Sequence, residues 1–458
     1  MSTEDRTYHA LLARHDAMRL RQQLLSPGSD PRTGRTDRTD RPSAEEAHDA
    51  AADRQIIMRD LDLVAPLDEL ITDLYRALFT RHPSLRSLFP ASMTFQQDHL
   101  ARAFWYLIEH LDRPAEITET FTRLGRDHRK LGVRPAQYAA FKDALCEALR
   151  LRAGEYWSPE LEQAWTRMLR LGVTAMVRGA ESALHEPPCW RATVTGHRLY
   201  GPDLAVLRLL PHETFRYRAG QHTALESARL PHTWRPYYLA DGPGPDGEVE
   251  VHVRCTGPGG VSETLVRHTA PGDEVRLGPP KGDLTLGTEP LDTLRLVAWD
   301  TGWAAMKALL QELDGRVRRS PAHRGRRVRL FLGADSLSDL HDTEYLTGLE
   351  QRHSWLTVVP TAGRAPGEGM YDRLVLAVAR SAPLAEGRTL VAGPPDMVRT
   401  VTAGLVHAGH PADRIVHDTL PPVLPVLPVL PVLPVLPRFA EGHGTAGDFM
   451  PPGQQVPA

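Results

Sequence analysis

The chain has 458 residues, of which 41% are hydrophobic and 24% charged, and its formal net charge is −3. This composition is sufficient for packed cores in about three domains, and the charge gives no electrostatic case for nucleic-acid binding. Cys146, Cys189 and Cys255 show neither metal-ligand spacing nor a paired framework, which indicates reduced thiols. With no apolar run of about 18 residues and a charged N-terminus, we expect a cytoplasmic protein without membrane association.

The N-terminal region divides into two parts. Residues 1–25 have the apolar spacing of an amphipathic helix, which could dock on the following domain or on a partner. Residues 26–46 are rich in Pro, Gly, Asp, Arg and Thr and include the direct repeat RTDRTDR. Because such a segment buries too little apolar surface to offset its ordering entropy, we interpret it as a disordered linker.

Residues 47–186 form the next segment, and its pattern is helical throughout. Tyr75 shares a helix face with Ile71, Leu78 and Phe79, so its hydroxyl lies on an apolar stripe and needs a partner. That partner is either a backbone carbonyl in an ordinary core or a bound ligand. Gln96 extends the apolar stripe of a later helix, where it either faces a pocket or merely starts the helix.

The segment LGRDHRKLGVRPAQY, residues 124–138, carries the most specific pattern. His128 shares a helix face with Leu124 and Leu131, Gly132 provides a stop, and Pro135 can open the next helix. A histidine on such a face, next to a helix break, suits an axial ligand of iron in a porphyrin. Taken alone, a surface histidine among charged neighbours is the more common outcome.

This segment resembles the proximal-histidine region of bacterial flavohaemoglobins, and the order of the rest of the chain fits that family. The resemblance implies a globin domain in which His128 binds the iron of haem b and Phe89 packs on the haem. It also implies that Tyr75 and Gln96 line the distal side, with Gln97 and His99 as alternatives to Gln96.

The resemblance further implies a tyrosine and a glutamate behind the proximal histidine. Tyr138 matches the tyrosine. The glutamate is less well matched, because the aligned position falls on Ala180 and Glu181 lies about 100° further around the helix. A carboxylate bonded to the outer imidazole nitrogen would raise the basicity of the iron ligand.

Residues 187–290 change to short alternating runs with Gly and Pro, as expected for an antiparallel FAD-binding β-barrel. Arg235 and Tyr237 resemble the Arg-x-Tyr-Ser motif of that family, in which Arg pairs with a flavin phosphate and Tyr stacks on the flavin. Tyr238 replaces the motif's serine. Gly260 and Ser262 resemble the motif that holds the pyrophosphate, although a glycine turn before an ordinary helix would look similar.

Residues 291–420 read as alternating strands and helices of an α/β parallel-sheet domain that resembles NAD(P)-binding domains. Thr301 and Gly302 survive from the Gly-Gly-Thr-Gly loop of the family, and Gly393 with Pro394 matches its late Gly-Pro motif. Trp299 and Asp300 stand where backbone should approach a pyrophosphate, and an anionic Asp there would oppose the ligand's charge. Two further departures are Asp335, where relatives often carry Arg, and Leu420, where they carry a flavin-shielding aromatic residue.

The chain ends in two low-complexity segments. Residues 421–437 contain five Pro-Val-Leu repeats, which predict a polyproline II rod on the order of 45 Å long. Its apolar ridges are either a binding site for a protein partner or a neutral repeat expansion. Residues 438–458 are expected to be disordered.

The predicted protein is therefore multidomain: an all-α globin, an antiparallel FAD-binding barrel, and an α/β nucleotide-binding domain. The resemblance implies nitric oxide dioxygenation to nitrate, with dioxygen and nitric oxide as ligands and electrons passing from NADH or NADPH through FAD to haem. One alternative is a haem globin that senses or scavenges oxygen or a redox signal, with a degenerate reductase. Another is a working reductase with a different donor or substrate.

Overall fold

The computed structural model describes residues 44–133, 135–244, 246–287, 293–319, 327–362, 369–381 and 387–418. The chain divides into a unit of Met1–Glu45 and a unit of Glu46–Ala458. The expected N-terminal helix, most of the linker, Leu420, the Pro-Val-Leu rod and the C-terminal tail lie outside the described residues. Within the described ranges, every helix is too short or too polar to cross a membrane.

The first part of the chain is helical. Its helices are α1 (Ala44–Arg59), α2 (Leu67–Arg81), α3 (Thr94–His110), α4 (Pro114–His128), α5 (Pro135–Ala153) and α6 (Pro159–Ser182). Short 3₁₀ turns cover Leu61–Leu63, Pro83–Leu88, Arg129–Leu131 and Gly154–Tyr156. The Ser158 hydroxyl caps α6 by accepting from the Leu161 amide at 3.1 Å, and Pro159 occupies the first turn, where no amide is needed.

Helices α4 and α6 cross at a distance that only glycine permits. A Cβ on Gly125 would lie 1.9 Å from the backbone oxygen of Met176, and one on Gly179 would lie 2.0 Å from that of Thr122. In each helix, a glycine therefore contacts the backbone of the other helix. This close crossing fixes the position of the C-terminal turn of α4, which ends at His128.

The middle part is a six-stranded antiparallel sheet in the order β4-β3-β6-β1-β2-β5. Its elements are β1 (Trp190–Leu199), β2 (Leu204–Pro211), β3 (His222–Ser227), β4 (Arg235–Tyr238), β5 (Val249–Arg254), α7 (Val261–Arg267) and β6 (Glu274–Leu277). A bridge between Leu239 and Val251 joins the end of β4 to β5, so the sheet nearly closes into a barrel.

The last part is a five-stranded parallel sheet in the order β11-β10-β7-β8-β9. Its strands are β7 (Thr293–Trp299), β8 (Arg327–Ala334), β9 (Leu356–Ala362), β10 (Arg388–Ala392) and β11 (Ile415–His417). Its helices are α8 (Trp303–Arg319), α9 (Thr343–Arg352), α10 (Asp372–Ala379) and α11 (Pro395–His407). Turns of 3₁₀ type cover Asp300–Gly302, Leu337–Asp339 and Ala412–Arg414.

The predicted order of an all-α part, an antiparallel barrel and a parallel α/β part is confirmed. Each part has its own apolar core; the α/β part has one on each face of its sheet. Strand β7 is buried on both faces, and its near-continuous apolar sequence TLRLVAW is typical of a central parallel strand.

Candidate active site

His128 is the last residue of α4 and is held by its own helix. Its Nδ1 lies 3.1 Å from the carbonyl oxygen of Leu124, one turn earlier. A 3₁₀ turn over Arg129–Leu131 follows, and Gly132 then adopts a left-handed conformation at φ 73°. The predicted stop at Gly132 and the predicted start of the next helix at Pro135 agree with this geometry.

The hydrogen bond to Leu124 determines which nitrogen of His128 is available. A carbonyl can only accept, so Nδ1 carries the proton and Nε2 keeps its lone pair. Burial lowers the pKa of His128, which keeps the imidazole neutral. Among the described residues Nε2 has no hydrogen-bond partner, so it is the nitrogen free to bind a metal.

Tyr75 lies in an aromatic cluster on α2. Its ring centroid is 5.7 Å from that of Phe79 and 5.6 Å from that of Phe89, and the two phenylalanines are 5.2 Å apart. The side chain is buried, and burial raises the pKa of its hydroxyl. No hydroxyl, amide or carbonyl within the described ranges bonds to it, so the core-tyrosine alternative, which requires a carbonyl partner, is not what the structure shows.

Gln96 lies near the start of α3, and its Oε1 is buried without a hydrogen-bond partner among the described residues. A buried polar atom without a partner costs about 1–3 kcal/mol, which a bound polar group would offset. The two alternatives are engaged elsewhere: Gln97 Nε2 is 3.5 Å from Thr72 Oγ1, and His99 Nδ1 is 3.0 Å from the Phe95 carbonyl. Of the three candidates, Gln96 is the one whose side chain has a buried oxygen without a partner among the described residues.

The two predicted proximal residues differ in burial: Tyr138 packs on the apolar core, and Glu181 is exposed to solvent. Tyr138 on α5 is half-buried against the same apolar core that Tyr75 and Phe89 border, and burial raises the pKa of its hydroxyl. Glu181 is exposed, and no hydrogen bond joins it to His128 among the described residues. Its neighbours Gly179 and Ala183 are buried, so a residue between them faces solvent. The expected carboxylate–imidazole bond is thus replaced by the bond to the Leu124 carbonyl.

These side chains fit an iron porphyrin. A neutral histidine offers Nε2, while an unsatisfied amide oxygen and an unpartnered phenol border apolar surface. Rotating the Gln96 amide by half a turn would present Nε2 as a donor, so both distal groups could donate to a small ligand with partial negative charge.

Strand β4 places Arg235 and Tyr237 at the edge of the barrel. The guanidinium carbon of Arg235 lies 3.9 Å from the ring centroid of Phe95 on α3, and Nη1 donates to the Trp234 carbonyl at 2.9 Å. Tyr237 packs on the barrel core, and burial raises the pKa of its hydroxyl. Tyr238, which replaces the motif's serine, instead packs against the core of the α/β part.

Gly260 precedes α7 as its N-cap residue, and Ser262 lies in its first turn. The Ser262 hydroxyl accepts from the Thr256 amide at 3.2 Å, and the Glu263 carboxylate accepts from the Gly259 amide at 2.6 Å. A Cβ on Gly257 or Gly259 would meet no atom within 4 Å, so the loop borders open space. This cradle fits a pyrophosphate, provided that Glu263 releases the Gly259 amide.

Thr301, Gly302, Gly393 and Pro394 meet at the carboxyl edge of the parallel sheet. A Cβ on Gly302 would lie 2.2 Å from the carbonyl oxygen of Ala392, so glycine is needed there. Trp299 is buried beside them: its ring is 5.0 Å from that of Tyr371 and 2.3 Å from where a Cβ on Gly333 would lie. The indole therefore occupies the space above Gly333 at this edge of the sheet.

Asp300 does not face the predicted phosphate position as an isolated charge. It adopts a left-handed φ of 50°, and its carboxylate accepts from Arg254 of β5 at 2.6 and 2.7 Å. Arg254 also donates to Asp203 at 2.9 Å. The expectation that Asp300 acts mainly by repelling a ligand is therefore incomplete, because its charge pairs with the barrel.

Sequence reasoning missed a buried polar network between β5 and the α/β part. His252 bridges Glu250 at 3.0 Å and His341 at 2.8 Å, while Lys307 donates to Glu250 at 2.6 Å and to Asp342 at 3.0 Å. Burial alone would raise the pKa of Glu250, but hydrogen bonds and charge from His252 and Lys307 lower it to about 2. The signal was present in the sequence: Glu250, His252 and Arg254 alternate along a buried strand, so all three project to one side.

Comparisons with known proteins agree with this architecture. Residues 72–176 match the globin family, and residues 192–286 match the oxidoreductase FAD-binding domain family. A flavohemoprotein of Chromobacterium violaceum is 27% identical over 385 residues, covering 76% of this chain and 92% of that protein. A flavohemoprotein of Bordetella pertussis is 28% identical over 271 residues, covering 54% of this chain and 67% of that protein.

Two further comparisons are with a ferredoxin reductase component and with a solved structure. The ferredoxin–NAD(P)+ reductase component of the Pseudomonas putida naphthalene 1,2-dioxygenase system is 27% identical over 245 residues, 53% of this chain and 72% of that protein. The crystal structure of a flavohemoglobin from Malassezia yamatoensis with bound FAD and heme superposes with a TM-score of 0.65 at 17% identity. It covers 80% of this chain and 98% of that one, which establishes a shared fold.

Proposed function

This chain has the globin and FAD-binding oxidoreductase domains of a flavohaemoglobin, and from that premise we propose that it oxidises nitric oxide to nitrate with dioxygen. The observation that supports the proposal is that one globin fold contains a neutral His128 and two buried polar groups without partners among the described residues, on Tyr75 and Gln96. Dioxygen and nitric oxide are the proposed ligands. The three cysteines are free thiols, so we place the activity in a reducing cytoplasm.

The haem would supply dioxygen binding and oxidation of nitric oxide, and the flavin would pass electrons singly from a two-electron donor. His128 would hold the haem through Nε2, with its ring oriented by the Leu124 carbonyl. Tyr75 and Gln96 would donate to the oxygen atom that gains negative charge, and Phe89 would pack against the macrocycle. Exclusion of water by the Tyr75, Phe79 and Phe89 rings would strengthen both hydrogen bonds.

The proposed FAD site is assigned to Arg235, Tyr237, Gly260 and Ser262. Arg235 would leave Phe95 to pair with a phosphate, and Tyr237 would stack on the flavin ring. Gly260 and Ser262 would border the pyrophosphate in the open cradle before α7. Tyr138 remains a predicted neighbour of the proximal imidazole.

No nicotinamide contact is assigned, because Trp299 fills the space above Gly333. Thr301, Gly302, Gly393 and Pro394 remain the predicted nucleotide-binding residues, and NADH or NADPH remains the predicted donor. The comparisons do not favour the alternative of a sensor or scavenger globin with a degenerate reductase.

The direct test is consumption of nitric oxide by the purified chain in aerated buffer, followed with an electrode and by nitrate determination. Electrons are supplied by NADH, by NADPH, or by photoreduction of the flavin. Each nitric oxide consumed should appear as one nitrate under at least one of these conditions. Consumption no faster than in buffer under all three would overturn the proposed reaction.

A further inference from the structure

Asp127, the residue before the proposed iron ligand, is shared between two domains. Its Oδ1 lies 2.5 Å from Lys130 Nζ of the globin and 2.7 Å from Lys281 Nζ of the barrel. Both cations approach the same carboxylate oxygen, and the carboxylate is largely buried. The ion pair to Lys281 therefore crosses the boundary between the domains within one residue of His128.

Lys281 is held in place from the barrel side. Its backbone pairs with that of His222 through two hydrogen bonds of 2.9 and 2.8 Å. His222 Nδ1 lies 3.2 Å from Asp418 at the end of β11, and Asp418 also accepts from the Asp283 amide at 2.9 Å. The segment that carries Lys281 is thus fixed to both the barrel and the α/β part before it reaches the globin.

Lys130 makes the reciprocal contact. It extends from the globin so that its Cδ lies 3.4 Å from where a Cβ on Gly278 would be, and its Nζ lies 5.2 Å from the ring centroid of Trp234. Its side chain is 6% exposed. Each domain therefore inserts one lysine toward the other, and Asp127 forms an ion pair with both.

We infer that Asp127 and Lys281 form a latch that holds the flavin barrel against the proximal side of the globin, and so set the rate of electron transfer from flavin to haem. Asp127 and Lys281 are positioning residues, since they would act through domain docking. The rate effect rests on the proposed function, whereas the latch itself is a property of the contact between the domains.

The first test is hydrogen–deuterium exchange in the full chain as purified. Lys281→Glu replaces attraction by like-charge repulsion, so amides of residues 127–133 and 278–284 should exchange about tenfold faster. Lys281→Arg keeps the charge and should stay close to the parent. Lys142→Glu makes the same charge change beside Asp143, an exposed neighbour on α5, and should leave both segments unchanged.

The second test measures electron transfer after flash photoreduction of the bound flavin, which avoids any need for nicotinamide. Haem reduction should be slower in Lys281→Glu, since the rate scales with the docked fraction, and should recover in Lys281→Arg. The Soret band and the flavin spectrum should match those of the parent.

The outcomes separate the latch from the proposed function. Unchanged exchange in Lys281→Glu overturns the latch, whatever the cofactors do. Faster exchange with unchanged electron transfer overturns the positioning role. A parent chain that exchanges as expected but shows no flavin-to-haem transfer contradicts the proposed function and leaves the latch supported.

Discussion

The Nδ1–H of His128 donates to the carbonyl oxygen of Leu124 at 3.1 Å, which leaves Nε2 as the only ring nitrogen that can bind a metal. His110 makes the same type of contact, with Nδ1 3.0 Å from the Tyr106 carbonyl. The two half-buried histidines share this local geometry and differ in their surroundings, since only His128 ends a helix held by the α4–α6 crossing. His110 is therefore a matched control for His128.

His128→Ala should lose the parent's ferrous Soret spectrum after haem reconstitution, because the nitrogen proposed to hold the iron is removed. His110→Ala should retain the band with the parent intensity. Absorption spectroscopy of both variants, with circular dichroism to verify folding, decides the assignment. Retention of a parent-like ferrous spectrum in His128→Ala would remove His128 as the iron ligand.

Tyr75→Phe should speed dioxygen dissociation from the ferrous protein by roughly 5- to 150-fold, which corresponds to the loss of a hydrogen bond of about 1–3 kcal/mol. The ring contacts with Phe79 and Phe89 remain, so the unfolding temperature should not fall. Stopped-flow dissociation kinetics provide the measurement. A rate equal to the parent would show that the phenol does not contact the ligand.

Gln96→Leu should also speed dissociation, by a smaller or similar factor, while Gln97→Leu should not. Gln96 has a buried amide oxygen without a hydrogen-bond partner among the described residues, whereas Gln97 contacts Thr72 at the surface. If Gln97→Leu gave the larger effect, the register of α3 proposed for the distal side would be wrong.

Asp300→Asn should destabilise the chain by roughly 1–3 kcal/mol, since it breaks a two-point ion pair with the half-buried Arg254. Asparagine tolerates the left-handed backbone at this position, so the effect reports on the charge. Asp335→Asn, at an exposed residue, is the control and should change little. Denaturant unfolding measures both, and equal stabilities would argue against a structural role for the pair.

Stability should fall as pH decreases from about 6.5 toward 3. Burial and the adjacent His252 lower the pKa of His341 to about 3, so the unfolded chain binds a proton in this range that the folded chain does not. The titratable and charged groups around His341 and His252 are Tyr200, Glu250, Arg254, Lys307 and Asp342. His341→Gln should flatten the pH dependence between those values, and His185→Gln, at an exposed site, should not.

Local patterns predicted the parts of the site that depend on a single helix. Gly132 and Pro135 predicted a helix end close to His128, and the stripe around Tyr75 placed its ring in the core. Other contacts near the site could not be predicted in this way: Arg129 donates to the carbonyls of Ala183 at 2.5 Å and Glu186 at 2.7 Å. That contact joins residues more than fifty positions apart, which periodicity does not relate.

The same limit explains the errors at Asp300 and Glu181. Asp300 was expected to repel a ligand phosphate. Its partner, Arg254, belongs to another domain, and no local rule connects the two residues. Glu181 lies one residue after the aligned position, Ala180, and that offset of about 100° turns its side chain to solvent. Residue type and spacing thus predicted which chemistry the chain carries, while the partners of its charges depended on how the domains pack.

We propose above all that one chain carries both haem and flavin and moves electrons between them. The absorption spectrum of the purified protein, recorded anaerobically before and after adding NADH or NADPH and then after flavin photoreduction, tests it most directly. A Soret band with flavin absorbance, and conversion to the ferrous spectrum by at least one of these donors, is the predicted result. A Soret band without flavin, or a haem that stays ferric under all of them, would contradict the account, and the absence of a Soret band after reconstitution would remove its basis at His128.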